Sequence, residues 1–242
     1  EKVLEVSHLS KRIGNKEIIK DISFYIREGE IFGFLGPNGA GKTTSIKMMT
    51  GVLKPDSGSI RINGVDVARH PLEAKRQFGY VPDSPDQFLR LKGIEYLNFL
   101  ADMYDVSSDL RTERVKKFAD EFGMSQALGD TIQSYSHGMR QKIVIIGALI
   151  HDPAVWILDE PMTGLDPKSA YILKQRMRQH ADAHKTVFFS SHVLEVVENL
   201  CDHIAIINHG RLLFAGSLKE LKEQHRGDES LEKIFLEMTD HE

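Results

Sequence analysis

One cysteine, Cys201, is all the thiol chemistry in a chain of 242 residues. It cannot close an internal disulfide, which excludes a stapled secreted domain and makes a cytosolic compartment the natural expectation. Set among apolar neighbours, Cys201 reads as inert core. Positive charge is not in surplus either: 31 Lys and Arg stand against 35 Asp and Glu, a net of −4. A general attraction to nucleic acid is therefore not expected. The opening residues Glu-Lys-Val-Leu-Glu-Val lack the apolar region of a signal peptide. The most apolar run, Ile143 to Ile150, falls far short of the roughly 20 residues a membrane helix needs. The expectation is a soluble chain whose membrane-embedded partner, if it has one, is a separate polypeptide. Internal repeats and low-complexity linkers are missing as well. What remains is 41% hydrophobic, enough for a substantial core in one large domain or two small ones.

Gly36-Pro-Asn-Gly-Ala-Gly-Lys-Thr-Thr44 fits G-x-x-x-x-G-K-[ST], with Gly36, Gly41, Lys42 and Thr43 at the fixed positions. Ile31–Leu35 before it reads as a buried strand, and Ser45–Met49 after it as the opening of a helix, the setting this motif needs. Glycines let successive N–H groups turn inward as an anion nest, and the helix start adds partial positive charge. Lys42 reaches the outer phosphates and the Thr43 hydroxyl is placed to ligate Mg²⁺. The expectation is nucleoside triphosphate binding.

Around this loop the pattern changes twice. Val3–Val6 reads as a short strand, Ile18–Arg27 as a half-buried antiparallel strand, and Ser59–Val67 as a hairpin turning at Asn63-Gly64. Phe78–Pro82 is a further short strand. Residues 83–152 then carry helical stripes, Ile94, Leu97, Leu100, Ala101 and Tyr104 on one and Val115, Phe118, Ala119 and Phe122 on another. After Pro153, strands (155–159, 186–190) alternate with helices (167–183, 192–201), which builds a parallel sheet. His203–Ile207 and Arg211–Ala215 turn at His209-Gly210, and Leu231, Ile234, Phe235 and Met238 line a short terminal helix.

A phosphate loop needs a carboxylate at the end of a neighbouring strand to hold Mg²⁺. Val155-Trp-Ile-Leu-Asp159 supplies it in Asp159. Glu160 points another way and is free to act on a water, as general base or by orienting it. Taken alone the two are equally an acidic pair before a proline turn. His192 follows the 186–190 strand at the ligand-binding edge of a parallel sheet, positioned for the γ-phosphate or the attacking water. Tyr135-Ser-His-Gly-Met139 opens the apolar helix of residues 140–150. Ser136 is a good N-cap, and by itself the stretch is a capped helix start.

Taken together, these stretches run in a recognisable order, and the chain resembles the nucleotide-binding subunits of ATP-binding cassette (ABC) transporters, most closely those of bacterial ABC-2-type exporters. Gly36–Thr44 matches the Walker A loop, with Gly36, Pro37, Asn38, Gly39, Ala40, Gly41, Lys42, Thr43 and Thr44 around ATP. Tyr135, Ser136, His137, Gly138 and Met139 match the signature motif, Val155–Glu160 Walker B and the catalytic glutamate, Thr163–Asp166 the D-loop, and His192 the switch histidine. The resemblance implies an α/β P-loop NTPase with a RecA-like core (1–82 and 153–242), an N-terminal antiparallel β subdomain and an inserted α-helical subdomain (83–152), forming one cassette over 1–242. It implies ATP hydrolysis with Mg²⁺, and a head-to-tail dimer with a second nucleotide-binding domain. In that dimer Tyr135, Ser136, His137, Gly138, Met139 and Asp166 form the surface that meets the partner's ATP, with Ser136 and Gly138 at the γ-phosphate. It further implies a cytoplasmic place on the inner face of the membrane, beside an integral membrane subunit.

Three motifs depart from the family pattern, at four positions. His137 stands for a glycine and Met139 for a glutamine. The adenine platform falls on Ile13, which offers no ring to stack. The glutamine that approaches Mg²⁺ falls on Asp83, with Gln87 as the alternative. Ser84–Leu91 is either the dock for the membrane subunit or packing against the first subdomain helix. A soluble ABC-type ATPase of DNA repair or translation would carry a coiled-coil insertion, a second cassette or a basic stripe, none of which is seen. A P-loop GTPase would carry Asn-Lys-x-Asp after the loop; here Asn15-Lys16 precedes it and lacks the Asp.

Overall fold

The computed structural model describes residues 1–225, 227 and 229–240, so the last two residues of the expected 1–242 unit lie outside it. Two sheets form the frame. The first is antiparallel, in the order β2-β1-β4-β5: β1 (Lys2–Ile13), β2 (Lys16–Arg27), β4 (Ser57–Ile62) and β5 (Val65–Asp66). The second has six strands in the order β10-β9-β3-β8-β7-β6. Its members are β3 (Ile31–Leu35), β6 (Phe78–Val81), β7 (Val155–Asp159), β8 (Thr186–Ser191), β9 (His203–Asn208) and β10 (Arg211–Ser217). All neighbours in it are parallel except the β9–β10 hairpin.

The strands alternate cleanly between two cores. Ile31 and Leu35, Trp156 and Leu158, and Val187 and Phe189 face the helical side. Phe32 and Phe34, Val155 and Ile157, and Phe188 face the antiparallel sheet. On that second face Phe24, Phe32, Phe34 and Phe188 form one aromatic cluster with ring centroids 5.5–6.1 Å apart, within the range where aromatic pairs add to simple burial. By the same parity Asp159 lies on that face. A strand buried on both sides therefore delivers its terminal acid into the interior rather than to the surface.

The helices are α1 (Lys42–Met49), α2 (Pro71–Gln77), α3 (Gly93–Met103), α4 (Ser108–Glu121), α5 (His137–Leu149), α6 (Pro167–Asp182), α7 (Leu194–Leu200), α8 (Leu218–Gln224) and α9 (Leu231–Thr239). The expected stripes are the buried faces of α3 and α4, with Leu97, Ala101, Phe118 and Ala119 in the core. β1 runs well past the expected Val3–Val6 because a bulge at His8 (φ 49°) breaks its alternation. That kink is held by His8 N–H on Ser23 Oγ and by His8 Nδ1 on Asp21 Oδ1. α2 and α8 were not expected. Each buries a single side chain, Ala74 and Leu221 respectively, so neither leaves a stripe in the sequence. α7 starts two residues later than expected, because Val193 N–H is tied back to Ser191 Oγ at 2.9 Å. This keeps His192 in the loop ahead of the helix. Cys201 is partly buried against the helical core, its Sγ beside Gly33, and burial pushes its ionisation upward.

Candidate functional site

β3 delivers the chain to Gly36, where a Cβ would stand 2.5 Å from the carbonyl oxygen of Ile207. Only glycine lets the loop leave the sheet this close to β9. The loop closes with Ala40 N–H on Pro37 O (3.1 Å). It is tied to the β9–β10 turn by Gly210 N–H on Ala40 O (3.0 Å), and that turn is held in place by Lys20 N–H on Gly210 O (2.8 Å). Gly41, at φ 110°, opens α1 with no side-chain cap and no acid in the first turn. The first amides of α1 are therefore left to an external anion, at the positive end of the helix. Thr43 and Thr44 are half-buried in that first turn, and Pro37, Asn38 and Gly39 form the outer rim.

Parallel register sets the acids beside this loop. Asp159 pairs with Ser190 of β8, and Ser190 and Ser191 pair with Phe34 and Leu35 of β3. Asp159 is fully buried. Its Oδ1 accepts from Ser190 Oγ at 2.7 Å, and its Oδ2 is buried without a hydrogen-bond partner among the described residues. Burial holds this carboxyl above the usual carboxylate range; the Ser190 bond and the nearby Thr43 hydroxyl oppose the shift, and the charges of Asp83 and Glu160 add to it. An orphaned, buried carboxylate oxygen with a threonine hydroxyl close by is a hard-oxygen donor set, and it fits a small divalent cation.

Glu160 takes φ 48°, in the left-handed region, and donates its N–H to Ser190 Oγ at 3.0 Å. Its carboxylate is shared. Oε1 lies 2.9 Å from Lys42 Nζ, and Oε2 lies 2.9 Å from His192 Nδ1. Lys42, almost fully buried, also donates to Ser191 O at 3.5 Å. The three residues singled out from separate parts of the sequence thus form one contiguous cluster. Its base is buried at Lys42, and its rim is exposed at His192.

The signature stretch forms a second surface. Ser136 caps α5, accepting from Met139 N–H at 3.2 Å. His137 is exposed, and its imidazole lies so close over Gly164 that a side chain at Gly164 would run into the ring. Gly138 packs near Gly164 O. Tyr135 sits beneath this surface: it is buried, and its hydroxyl donates to Ala127 O at 2.6 Å. Met139 packs into the helical core. Asp166 caps α6, accepting from Ser169 N–H at 3.2 Å and Ser169 Oγ at 2.5 Å, and these bonds hold its carboxyl below the usual range. Among the described residues no hydrogen bond or ion pair joins Tyr135–Met139 to Gly36–Thr44. Ile13 is 52% exposed at the end of β1. Asp83 and Gln87 are both exposed in the loop after β6.

Ser84–Leu91 packs in part against the helical subdomain, α3 included. Leu89 packs into the helical core. Phe88, at φ 53°, stays 47% exposed, its ring 5.5 Å from Tyr96 and 5.7 Å from Phe99. Three contacts escaped the sequence. Gln141 Nε2 donates to Pro161 O at 3.2 Å and ties α5 to the turn after Glu160. Arg140 pairs with Asp86 at 2.9 Å. Ser190 bridges both acids. Each joins segments far apart in the chain, and only Ser190 left a sign, a polar residue closing an apolar strand. A cleft of about 660 Å³ lies away from this site, between β1–β2 and β9–β10, with Tyr25 and His203 in its wall.

A phosphate loop at the centre of a parallel sheet, with two acids and a histidine on the same edge, defines a P-loop ATPase. Residues 19–163 match the ABC transporter family. Linearmycin resistance ATP-binding protein LnrL of Bacillus subtilis is 36% identical over 226 residues, 93% of this chain and 73% of that protein. ABC transporter ATP-binding protein NatA of the same organism is 34% identical over 239 residues, 97% of each. Among solved structures, an ATP-binding subunit of an ABC transporter superimposes with a TM-score of 0.94 at 32% identity, covering 98% of this chain and 99% of that one. CbiO1 from Clostridium perfringens, described as part of the ABC transporter complex CbiONQ, gives 0.79 at 25%, covering 98% of this chain and 99% of that one. The chain belongs to the ABC transporter family, as an ATP-binding subunit of the ATPase type.

Proposed function

We propose that this chain hydrolyses ATP to drive an exporter, working as one of two cassettes that close on two ATP molecules. The observation that carries the reading is the Lys42–Glu160–His192 cluster beside the uncapped start of α1. Thr43 and Asp159 would hold Mg²⁺, with Asp83 or Gln87 nearby; the ion's contribution is to neutralise charge on the phosphate oxygens. The loop amides and Lys42 bind the triphosphate, so Lys42 exchanges one anion, Glu160, for another. Glu160, released on that side and still held by His192, accepts the proton of the attacking water. His192 orients Glu160 through Nδ1 and turns its other face to the γ-phosphate.

The second cassette contributes Ser136 and Gly138, whose helix start is aimed at the anion, with Asp166 beside them. Ile13 lies against the base without stacking, so the phosphates supply most of the affinity. The exposed Phe88 and its aromatic neighbours suit the apolar contact of an integral membrane subunit at Ser84–Leu91, and the proposal includes a position on the cytoplasmic face of the membrane. No helix among the described residues is long and apolar enough to cross a membrane. The exporter reading draws on the resemblance of the ordered motifs to subunits of ABC-2-type exporters.

The test is affinity purification of the tagged chain from detergent-solubilised membranes. An integral membrane protein recovered in stoichiometric amount supports the reading. Recovery with ribosomes or DNA instead replaces it with a soluble ATPase acting there.

A further inference from the structure

Ser190, the last residue but one of β8, is fully buried, and its hydroxyl makes two hydrogen bonds of opposite sense. It donates to Asp159 Oδ1 at 2.7 Å and accepts from the Glu160 amide at 3.0 Å. The pairing of Asp159 with Ser190 across β7 and β8 sets this geometry. A hydroxyl is the smallest group that does both. The donation decides which carboxylate oxygen of Asp159 is spent: Oδ1 is engaged, and Oδ2 is left buried and unpartnered. The acceptance pins the amide where Glu160 enters the left-handed region, φ 48°, which L-residues seldom occupy. From that backbone the Glu160 side chain reaches Lys42 and His192.

We propose that Ser190 is a positioning residue for both acids. It presents the free oxygen of Asp159 to the cation and holds Glu160 in the one backbone conformation that addresses Lys42 and His192 together. An apolar residue here leaves Asp159 Oδ1 and the Glu160 amide without partners in a buried setting, and both acids lose their orientation. Of the two serines that end the strand, Ser191 is engaged elsewhere, through its hydroxyl to Val193 N–H and its carbonyl to Lys42.

The inference rests on the nucleotide reading above, and the experiment separates the two. Full-length wild type, Ser190→Ala and Ser190→Thr are titrated with Mn²⁺ as a spin probe in the presence of a non-hydrolysable ATP analogue. Thermal melting and steady-state hydrolysis are measured alongside. Alanine weakens Mn²⁺ binding roughly tenfold or more, and threonine, which keeps the hydroxyl, stays within about threefold of wild type. Analogue binding in EDTA is unchanged, and kcat falls while KM for ATP holds. An alanine variant that binds Mn²⁺ as wild type does, whether or not it melts earlier, overturns the role, as does threonine no better than alanine. A wild type that takes up neither analogue nor Mn²⁺ overturns the nucleotide reading, and the role of Ser190 with it.

Discussion

The ammonium of Lys42 stands 2.9 Å from Oε1 of Glu160, with both groups largely withdrawn from solvent. The two residues are 118 positions apart in sequence. In the proposed function, nucleotide binding is an exchange of anions at this lysine: phosphate takes Lys42, and Glu160 is freed to act as the base.

Lys42→Ala removes that exchange. Phosphate loses a charge-assisted donor worth about 2 kcal/mol, so ATP affinity falls roughly thirtyfold. Glu160 keeps its hydrogen-bond contact with His192 Nδ1. Equilibrium binding of a fluorescent ATP analogue checks this, and an unchanged affinity removes Lys42 from the phosphate site.

Tyr135→Phe separates packing from ligand contact within the signature stretch. The phenol of Tyr135 is spent on Ala127 O inside the helical subdomain. Losing one buried hydrogen bond costs about 1 kcal/mol, seen as an earlier thermal transition, with ATP turnover near wild type. A large fall in turnover without loss of stability would instead place Tyr135 at the nucleotide.

Gly36→Ala drives a methyl group against Ile207 O. The loop has to move away from β9, and nucleotide binding is lost while the sheet stays folded. Circular dichroism paired with analogue binding reads both.

Two buried histidines set a pH limit on the fold. Burial depresses His151 to about 4, against the pull of Phe78 O and Asp152. Burial likewise depresses His180, packed edge-on to Trp156, to about 4, against Asp152. Both lie below the ordinary histidine value of about 6.5, so in that interval the unfolded chain binds the protons that the folded chain refuses. Stability is whole above pH 6.5 and declines as pH falls toward 4. Urea unfolding at pH 7.5 and 5 shows the loss, and His180→Leu flattens the slope.

The frame of this molecule was legible because its main signals are local. An apolar strand, a glycine loop and a helix start are contiguous at Ile31–Met49, and strand parity alone predicts that Asp159 ends inside. The helical stripes of α3 and α4 repeat at a spacing any reader can count. The relations that give the site its working geometry are not local. Ser190 meets Asp159 through strand register, Gln141 meets Pro161 across two elements, and Arg140 meets Asp86 over 54 positions. No spacing rule encodes such pairs. α2 and α8 were hidden for a different reason: a helix that buries one side chain leaves no period to read.

The most direct measurement is phosphate release by Glu160→Gln. The amide keeps the size of the side chain and cannot take a proton from water. Removing a general base slows turnover by roughly 10²–10⁴-fold. The variant still binds ATP and, holding it unhydrolysed, accumulates as an ATP-dependent dimer in light scattering. Turnover within a fewfold of wild type contradicts the assignment of Glu160 as the base and, with it, the working geometry proposed for this site.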